Sequence, residues 1–157
     1  MPENNSRVLW LNADEIVMAM KDQSVEWWID SISGRLCMDP EAAELMFGEE
    51  GAESWTPDNP DHLLPLPEVT GSDAFRLMER FIDTEAGHEA SAALAAALKE
   101  RKPFRRFKDV LAEFAADRDR WFQFEAAAMK RTAEGFYAFE GFEIRWIGSP
   151  SEATGRR

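Results

Sequence analysis

Residues 99–109 read KERKPFRRFKD, and six of these eleven residues are Lys or Arg in a chain whose formal net charge is −12. Arg and Lys side chains bind carboxylates and phosphates, and Arg does so through two parallel hydrogen bonds. Pro103 is typical of a first helical turn, so Phe104, Arg105 and Arg106 are expected at a helix start. The free N–H groups and the dipole of such a start favour an anion. The stretch therefore predicts a binding site for a negatively charged group.

The cations expected to form this site are Arg101, Lys102, Arg105, Arg106 and Lys108. Cations in a first helical turn are unfavourable against the helix dipole by about 0.3–1 kcal/mol each. Such a local conflict is typical of functional or paired positions. Three interpretations stay open for residues 99–108, here called the basic segment. It pairs with acidic side chains of the N-terminal half, it binds an anion such as a phosphate, a nucleotide or RNA, or it docks an acidic protein partner.

The negative charge of the chain is concentrated at its start. Residues 1–70 hold three Lys or Arg and fifteen Asp or Glu, whereas residues 71–157 hold fifteen of each. Such a surface repels nucleic acids and anionic membranes, so neither duplex DNA nor a membrane is expected as a partner. Single-stranded RNA remains an alternative, because Phe104 and Phe107 are interleaved with the cations as stacking residues would be. Their spacing with Leu111 fits burial in a core better.

Sequence motifs for catalysis are missing. The chain contains no phosphate-binding glycine loop, no dinucleotide fingerprint and no nucleophile elbow. Cys37 is a single cysteine, which excludes an internal disulfide and a cysteine-based zinc site. No cofactor or metal is expected. Enzymatic activity stays open as an alternative, in which the same cations would hold a phosphate-bearing substrate and nearby acids would supply a base or a metal ligand.

Trp27 and Trp28 are consecutive residues of a predicted strand, so their side chains face opposite sides of the sheet. The outward Trp either lies at an interface with a second copy, which would make the protein a homodimer, or is covered by a helix. Outward tryptophans are common at interfaces. Both interpretations stay open.

Local patterns predict an α+β fold in which an N-terminal β-hairpin and a small, mostly antiparallel sheet pack on a central group of helices, followed by a terminal strand. The hairpin is WWIDSISGRLCMD, with Gly34 in its turn. Helices are predicted after the cap Asn12, from the cap Asp39 to Gly48, and from the cap Ser72 to Gly87. The stretch EEGAESWTPDNPD between them reads as an irregular acidic loop. One domain is expected over residues 1–147, with a disordered tail over 148–157.

The N-terminus MPENNSRVLW lacks the basic start and the apolar stretch of a signal peptide. The apolar run ASAALAAAL is about half the length that a bilayer crossing requires. A cytoplasmic protein is therefore expected.

Five stretches resemble an uncharacterised bacterial protein family of the UPF0158 type: WWIDSISGRLCMD, LPLPE, FRLMERFID, PFRRFKDVL and RWFQFE. They cover roughly residues 8–130, and the chain departs from the family pattern after residue 131. The resemblance implies a bacterial cytoplasmic setting and carries no catalytic residue or cofactor with it. The function expected from the chain is that of a small non-catalytic binding or regulatory protein, which docks an acidic partner or an anion at the basic segment.

Overall fold

The computed structural model describes residues 7–147, and the predicted tail over 148–157 lies outside them. Its five strands are Arg7–Asn12 (β1), Trp27–Asp30 (β2), Leu36–Met38 (β3), Leu63–Pro65 (β4) and Phe142–Ile147 (β5). Its six α-helices are Ala13–Lys21 (α1), Pro40–Ala52 (α2), Gly71–Thr84 (α3), His88–Leu98 (α4), Pro103–Leu111 (α5) and Ala115–Phe139 (α6). The fold class is α+β, as the sequence predicted.

The described chain divides into two compact units, and each is described here by itself. The first, the mixed unit, contains residues 7–68 and 129–147, and the second, the helical unit, contains residues 69–128. Helix α6 supplies residues to both. The single domain expected over residues 1–147 stays a prediction.

Two small sheets lie in the mixed unit. Strand β1 pairs with β5 in parallel, with Leu9 opposite Ile144. Leu9 and Leu11 are buried while Val8 and Trp10 are exposed, which is the alternation of a sheet with one covered face. The terminal strand predicted from FEIRWI is thus confirmed. It joins β1 in a separate parallel pair rather than extending the antiparallel sheet.

The second sheet is antiparallel with the order β3-β2-β4, and its first pair is the predicted hairpin. Gly34, in the turn between β2 and β3, has φ 80°. A Cβ at this position would collide with the carbonyl oxygen of Trp10. Glycine is therefore required here both by the backbone angle and by the close approach of β1.

Asp30, at the end of β2, is fully buried and accepts hydrogen bonds only from uncharged donors. Oδ1 accepts from the backbone N–H groups of Ile32 (2.9 Å) and Ser33 (3.2 Å). Oδ2 accepts from the backbone N–H (3.1 Å) and the side-chain amide (3.0 Å) of Asn59. Burial opposes the charged form, but these donors outweigh it and lower the pKa of Asp30. The carboxylate thereby ties residue 59 to the hairpin turn.

The predicted acidic loop over residues 49–61 is wrong in part, because the chain there is largely helical. Asp39 caps α2 by accepting from the N–H of Ala42 (3.2 Å), as predicted. Gly48 breaks α2 with φ 79° and ψ 171°, and helical turns then resume up to Ala52. Two short 3₁₀ turns follow, at Glu53–Trp55 and Pro60–His62.

The helical unit begins at α3, whose cap is Thr70 and not Ser72 as predicted. Thr70 Oγ1 accepts from the N–H of Asp73 (3.1 Å), and the Asp73 carboxylate accepts from the N–H of Thr70 (3.2 Å). This reciprocal capping box satisfies two backbone donors at once, which favours Thr70 over Ser72. Gly87 lies beyond the end of α3 and is the residue that precedes α4.

Aromatic side chains form the core of the helical unit. Phe81 of α3 lies edge-on to Trp121 at 5.3 Å and to Phe124 at 5.5 Å, both on α6. Phe107 of α5 packs edge-on against the same Trp121 at 5.0 Å. Phe81 and Phe107 are fully buried. Edge-to-face pairs of this kind stabilise by about 0.5–1.5 kcal/mol each beyond area burial.

Asp117 of α6 binds the backbone N–H of Gly87, the residue that precedes α4. Its Oδ1 accepts from the N–H of Gly87 (2.6 Å) and from the guanidinium of Arg120 (2.7 Å). The carboxylate is 7% exposed. The hydrogen bond from the Gly87 N–H lowers the pKa of Asp117, and Arg120 lowers it further. Burial raises the pKa but does not outweigh these two interactions. A residue 30 positions along the chain thus satisfies the N–H of Gly87, while the first turn of α4 has no side-chain cap.

We expect Asp117→Asn to lower the free energy of unfolding at pH 7 by about 1–3 kcal/mol, because the acceptor loses the negative charge that strengthens its bonds from Gly87 N–H and Arg120. The folded-state pKa is below the unfolded value of about 3.9, so the contribution is complete above that pH and is lost as pH falls through the folded pKa. Urea unfolding at pH 7 and pH 3 measures the difference in unfolding free energy between wild type and the variant. The gap between wild type and variant should shrink at pH 3, and an equal gap at both would contradict the assignment.

Asp30→Asn is expected to cost about 3 kcal/mol of unfolding free energy, because the introduced NH₂ group would face donors and leave buried N–H groups unsatisfied. Asp58→Asn is the matched control, since Asp58 is exposed and pairs with Arg35 on the surface. That control is expected to cost at most about 1 kcal/mol. Thermal or urea unfolding of the two variants measures both losses of unfolding free energy. Losses of similar size would argue against a buried acceptor role for Asp30.

Candidate functional site

The basic segment connects α4 to α5 through a tight reversal of the chain. Lys99 ends α4, and its N–H donates to the carbonyls of Ala96 and Ala97. Lys102 then adopts a left-handed conformation with φ 54° and ψ 59°. Within the described residues it is the one non-glycine residue with positive φ. A side chain in that conformation costs about 1–2 kcal/mol, so packing on either side must hold the turn.

Phe107 and Leu111 supply that packing for α5. Both are buried, and Phe107 lies against Trp121 and, at 6.5 Å, against Phe81. Pro103 occupies the first turn as predicted, where its fixed φ suits the helix. One side of α5 is therefore fixed in the core, and the residues on its other side are held outward.

The five predicted cations are all exposed. They are Arg101, Lys102, Arg105, Arg106 and Lys108. Arg106 Nε donates to Glu100 Oε1 at 3.0 Å, an ion pair within the basic segment itself. Both side chains are about half exposed, so this pair contributes about 0–1 kcal/mol.

The side chains of Arg101, Lys102, Arg105 and Lys108 form no hydrogen bond or ion pair among residues 7–147. The structure thus brings the predicted residues together on one short segment. Their binding role stays a prediction.

The starts of α4 and α5 have no side-chain cap, whereas those of α1, α2 and α3 do. Side-chain oxygens cap α1 (Asn12), α2 (Asp39) and α3 (Thr70), and α4 has an acid, Glu89, in its first turn. At α5 the first helical hydrogen bond runs from Arg106 N to Lys102 O at 3.0 Å, and no side chain caps the N–H groups before it. The first turn also holds no acid. Cations and unsatisfied donors thus coincide, which is the arrangement an anion stabilises.

Phe104 corrects one expectation, because it was predicted to be buried and is 38% exposed. It precedes Phe107 by nearly one turn and contacts Phe75 of α3 at 6.4 Å between ring centroids. It lies in the first turn of α5, whereas Phe107 lies one turn further on, between the rings of Phe81 and Trp121. An aromatic surface therefore lies beside Arg105.

The two tryptophans proposed for an interface differ in exposure. Trp27 is 6% exposed and packs edge-on against Trp55 at 5.7 Å. Trp28 is half-buried, on the opposite face of β2. Of the two, Trp28 presents the surface that contact with a second copy would need. Self-association through it stays a prediction.

A cavity of about 350 Å³ lies on the helical unit between α3 and α4. Glu79, Asp83 and Lys99 are among its lining residues, and Arg105 and Arg106 are not. Among residues 7–147, no three His, Cys, Asp or Glu side chains converge as metal ligands. In the same residues, no helix has the length and apolar character needed to cross a membrane.

Sequence reasoning missed two groups of residues. Asp30 and Asp117 were not singled out, because each depends on a donor distant in the chain, Asn59 and Gly87 respectively. The exposed residues Leu45, Met46 and Phe47 were read as part of an ordinary short helix. The available signal was that three apolar residues follow one another in a helix. Whether such a run is buried or exposed depends on which faces of α2 other elements cover.

Comparison with known proteins agrees with the resemblance noted from the motifs. The sequence model of the family described as "Uncharacterised protein family (UPF0158)" matches residues 7–136. The chain is also 26% identical over 133 residues to UPF0158 protein PA5073 of Pseudomonas aeruginosa, covering 81% of this chain and 80% of that protein. No solved structure shows significant similarity to the chain. The family match spans well over half of the sequence, and this chain therefore belongs to the uncharacterised protein family UPF0158.

Proposed function

We propose that this chain is a small, non-catalytic binding or regulatory protein of the bacterial cytoplasm, which docks carboxylate or phosphate groups of a partner at the basic segment. One observation carries the proposal: exposed cations without partners in residues 7–147 surround a helix start whose N–H groups no side chain caps. The buried Phe107 anchor supports it, because a fixed helix presents its cations without further ordering.

The net charge decides which partners the proposal favours. The chain as a whole is acidic, so long-range attraction does not bring a polyanion to it. Recognition would depend on short-range contacts, within a screening length of about 8 Å at physiological salt. Bidentate pairing of Arg101 or Arg105 with a carboxylate or phosphate is a contact of that range. A compact acidic segment of a protein suits this better than a long duplex.

We expect a fluorescein-labelled Asp/Glu-rich peptide to bind wild type, and Arg101→Ser with Arg105→Ser to weaken that binding about tenfold, because two charged contacts are lost. Fluorescence anisotropy at several salt concentrations measures the affinity of each protein for the peptide. Calorimetry with inorganic phosphate and pyrophosphate separates a phosphate ligand from a carboxylate one.

The matched control removes the same charge from α6, as Arg118→Ser with Arg131→Ser, two exposed cations outside the basic segment. It should bind the peptide like wild type. Equal weakening by both double variants would mean that only net charge matters and would overturn the proposed site. Absence of binding to the peptide, phosphate and pyrophosphate would do the same.

Single-stranded RNA is a second candidate, and the exposure of Phe104 beside Arg105 favours it. A solvent-accessible ring next to cations is what base stacking requires. We expect Phe104→Ala to weaken binding of a short labelled RNA at least about fivefold at low salt.

Phe122→Ala is the control for RNA binding, since Phe122 is 50% exposed on α6 and also lies near an Arg side chain, that of Arg118. It should leave RNA binding unchanged. No anisotropy change with wild type at about 50 mM salt, where phosphate contacts are strongest, removes this candidate.

A further inference from the structure

Three consecutive apolar residues of α2 lie on the surface of the mixed unit. Leu45 is 89% exposed, Met46 51% and Phe47 40%; they are here called the α2 patch. Successive helical residues point about 100° apart, so exposure of all three means that this turn is uncovered over more than half of its circumference. The helix is attached to its unit through small residues instead, since Ala43 and Ala52 are buried.

The α2 patch is anchored at one end. Phe47 stacks on Trp55 with ring centroids 5.3 Å apart and planes 18° from parallel. Trp55 in turn packs edge-on against the buried Trp27. A surface fixed in this way loses little side-chain freedom when a partner covers it. This favours a docking surface that is already formed in the free protein.

The charge around the α2 patch selects the kind of partner. Residues 36–75 contain ten Asp or Glu and no Lys or Arg. A cavity of about 380 Å³ on α2 is lined by Glu44, Glu49, Glu50 and Glu53, among others. These four glutamates form no ion pair with any of the residues 7–147. Such a rim repels acidic partners and nucleic acids and attracts Lys and Arg side chains.

We propose that the α2 patch docks a cationic amphipathic helix of another protein. The apolar side of that helix would cover Leu45, Met46 and Phe47, and its Lys or Arg side chains would reach the glutamates of the cavity. Helices with a basic and an apolar side dock on surfaces of this composition. The proposal concerns the mixed unit and is independent of the function proposed for the basic segment.

A second copy of this chain is the less suitable occupant. Its most cationic helix is α5, but Phe107 and Leu111 of α5 are buried within its own unit. Only Phe104 remains on that helix to offer a large apolar surface. The helix would therefore match the charge of the α2 patch without covering its apolar residues.

The test uses a labelled Leu/Lys amphipathic peptide of about 18 residues, or five helical turns. Wild type should bind it by anisotropy at about 150 mM salt, and a Leu/Glu peptide of the same pattern should not bind. Leu45→Ser with Met46→Ser should weaken binding at least about tenfold. Ile32→Ser, which removes an apolar side chain that is 59% exposed elsewhere on the mixed unit, should have no effect.

The contribution of charge is tested separately. Glu49→Gln with Glu50→Gln should weaken binding and reduce its salt dependence, whereas Glu26→Gln with Glu140→Gln removes the same charge elsewhere and should do neither. Circular dichroism should show that each variant keeps its helix content, because the altered side chains are exposed.

Four results would overturn the proposal. They are no binding of the Leu/Lys peptide, equal binding of the Leu/Glu peptide, unchanged binding by the Leu45/Met46 double variant, and light scattering that shows self-association of wild type lost in that variant. The last would make a second copy the occupant. The Arg101/Arg105 double variant should bind the cationic peptide as well as wild type does, so the function of the basic segment can fail without affecting this test.

Discussion

The edge-to-face contact of Phe107 with Trp121, at 5.0 Å, is the interaction on which the orientation of the basic segment depends. Phe107 is fully buried, and Phe81 closes the cluster from α3. A helix held by one large ring and by Leu111 cannot rotate about its axis without opening the core. Its cations are therefore kept on the surface, and the left-handed turn at Lys102 is supported by helices packed on both sides of it.

Carboxylates play two different parts in this protein. Asp30 and Asp117 are buried and accept from backbone N–H groups, and in both the pKa is lowered because those donors favour the charged form. Each joins parts of the chain that are far apart in sequence. The glutamates around α2 are exposed and form no ion pairs among residues 7–147. They contribute a local negative field rather than cohesion.

The local signals of the sequence predicted much of the fold. Asn12, Asp39 and Pro103 lie where their capping or first-turn chemistry placed them, and Gly48 breaks α2. The choice of Ser72 as a cap was wrong, because Thr70 and Asp73 satisfy each other's backbone donors. The burial of Phe104 was also wrong. Helical spacing places it on the side of Phe107, but spacing carries no information about how far the neighbouring rings extend.

The sequence by itself determined the α+β class, the starts of three helices and the concentration of cations in residues 99–108, because these depend on contacts within a few residues. Only the tertiary structure decided the parallel pairing of β1 with β5, the donors around Asp30 and Asp117, and the exposure of Leu45, Met46 and Phe47. These features arise between residues distant in the chain. Side-chain type and spacing specify which groups can be buried, but the packing of other elements decides which of them are.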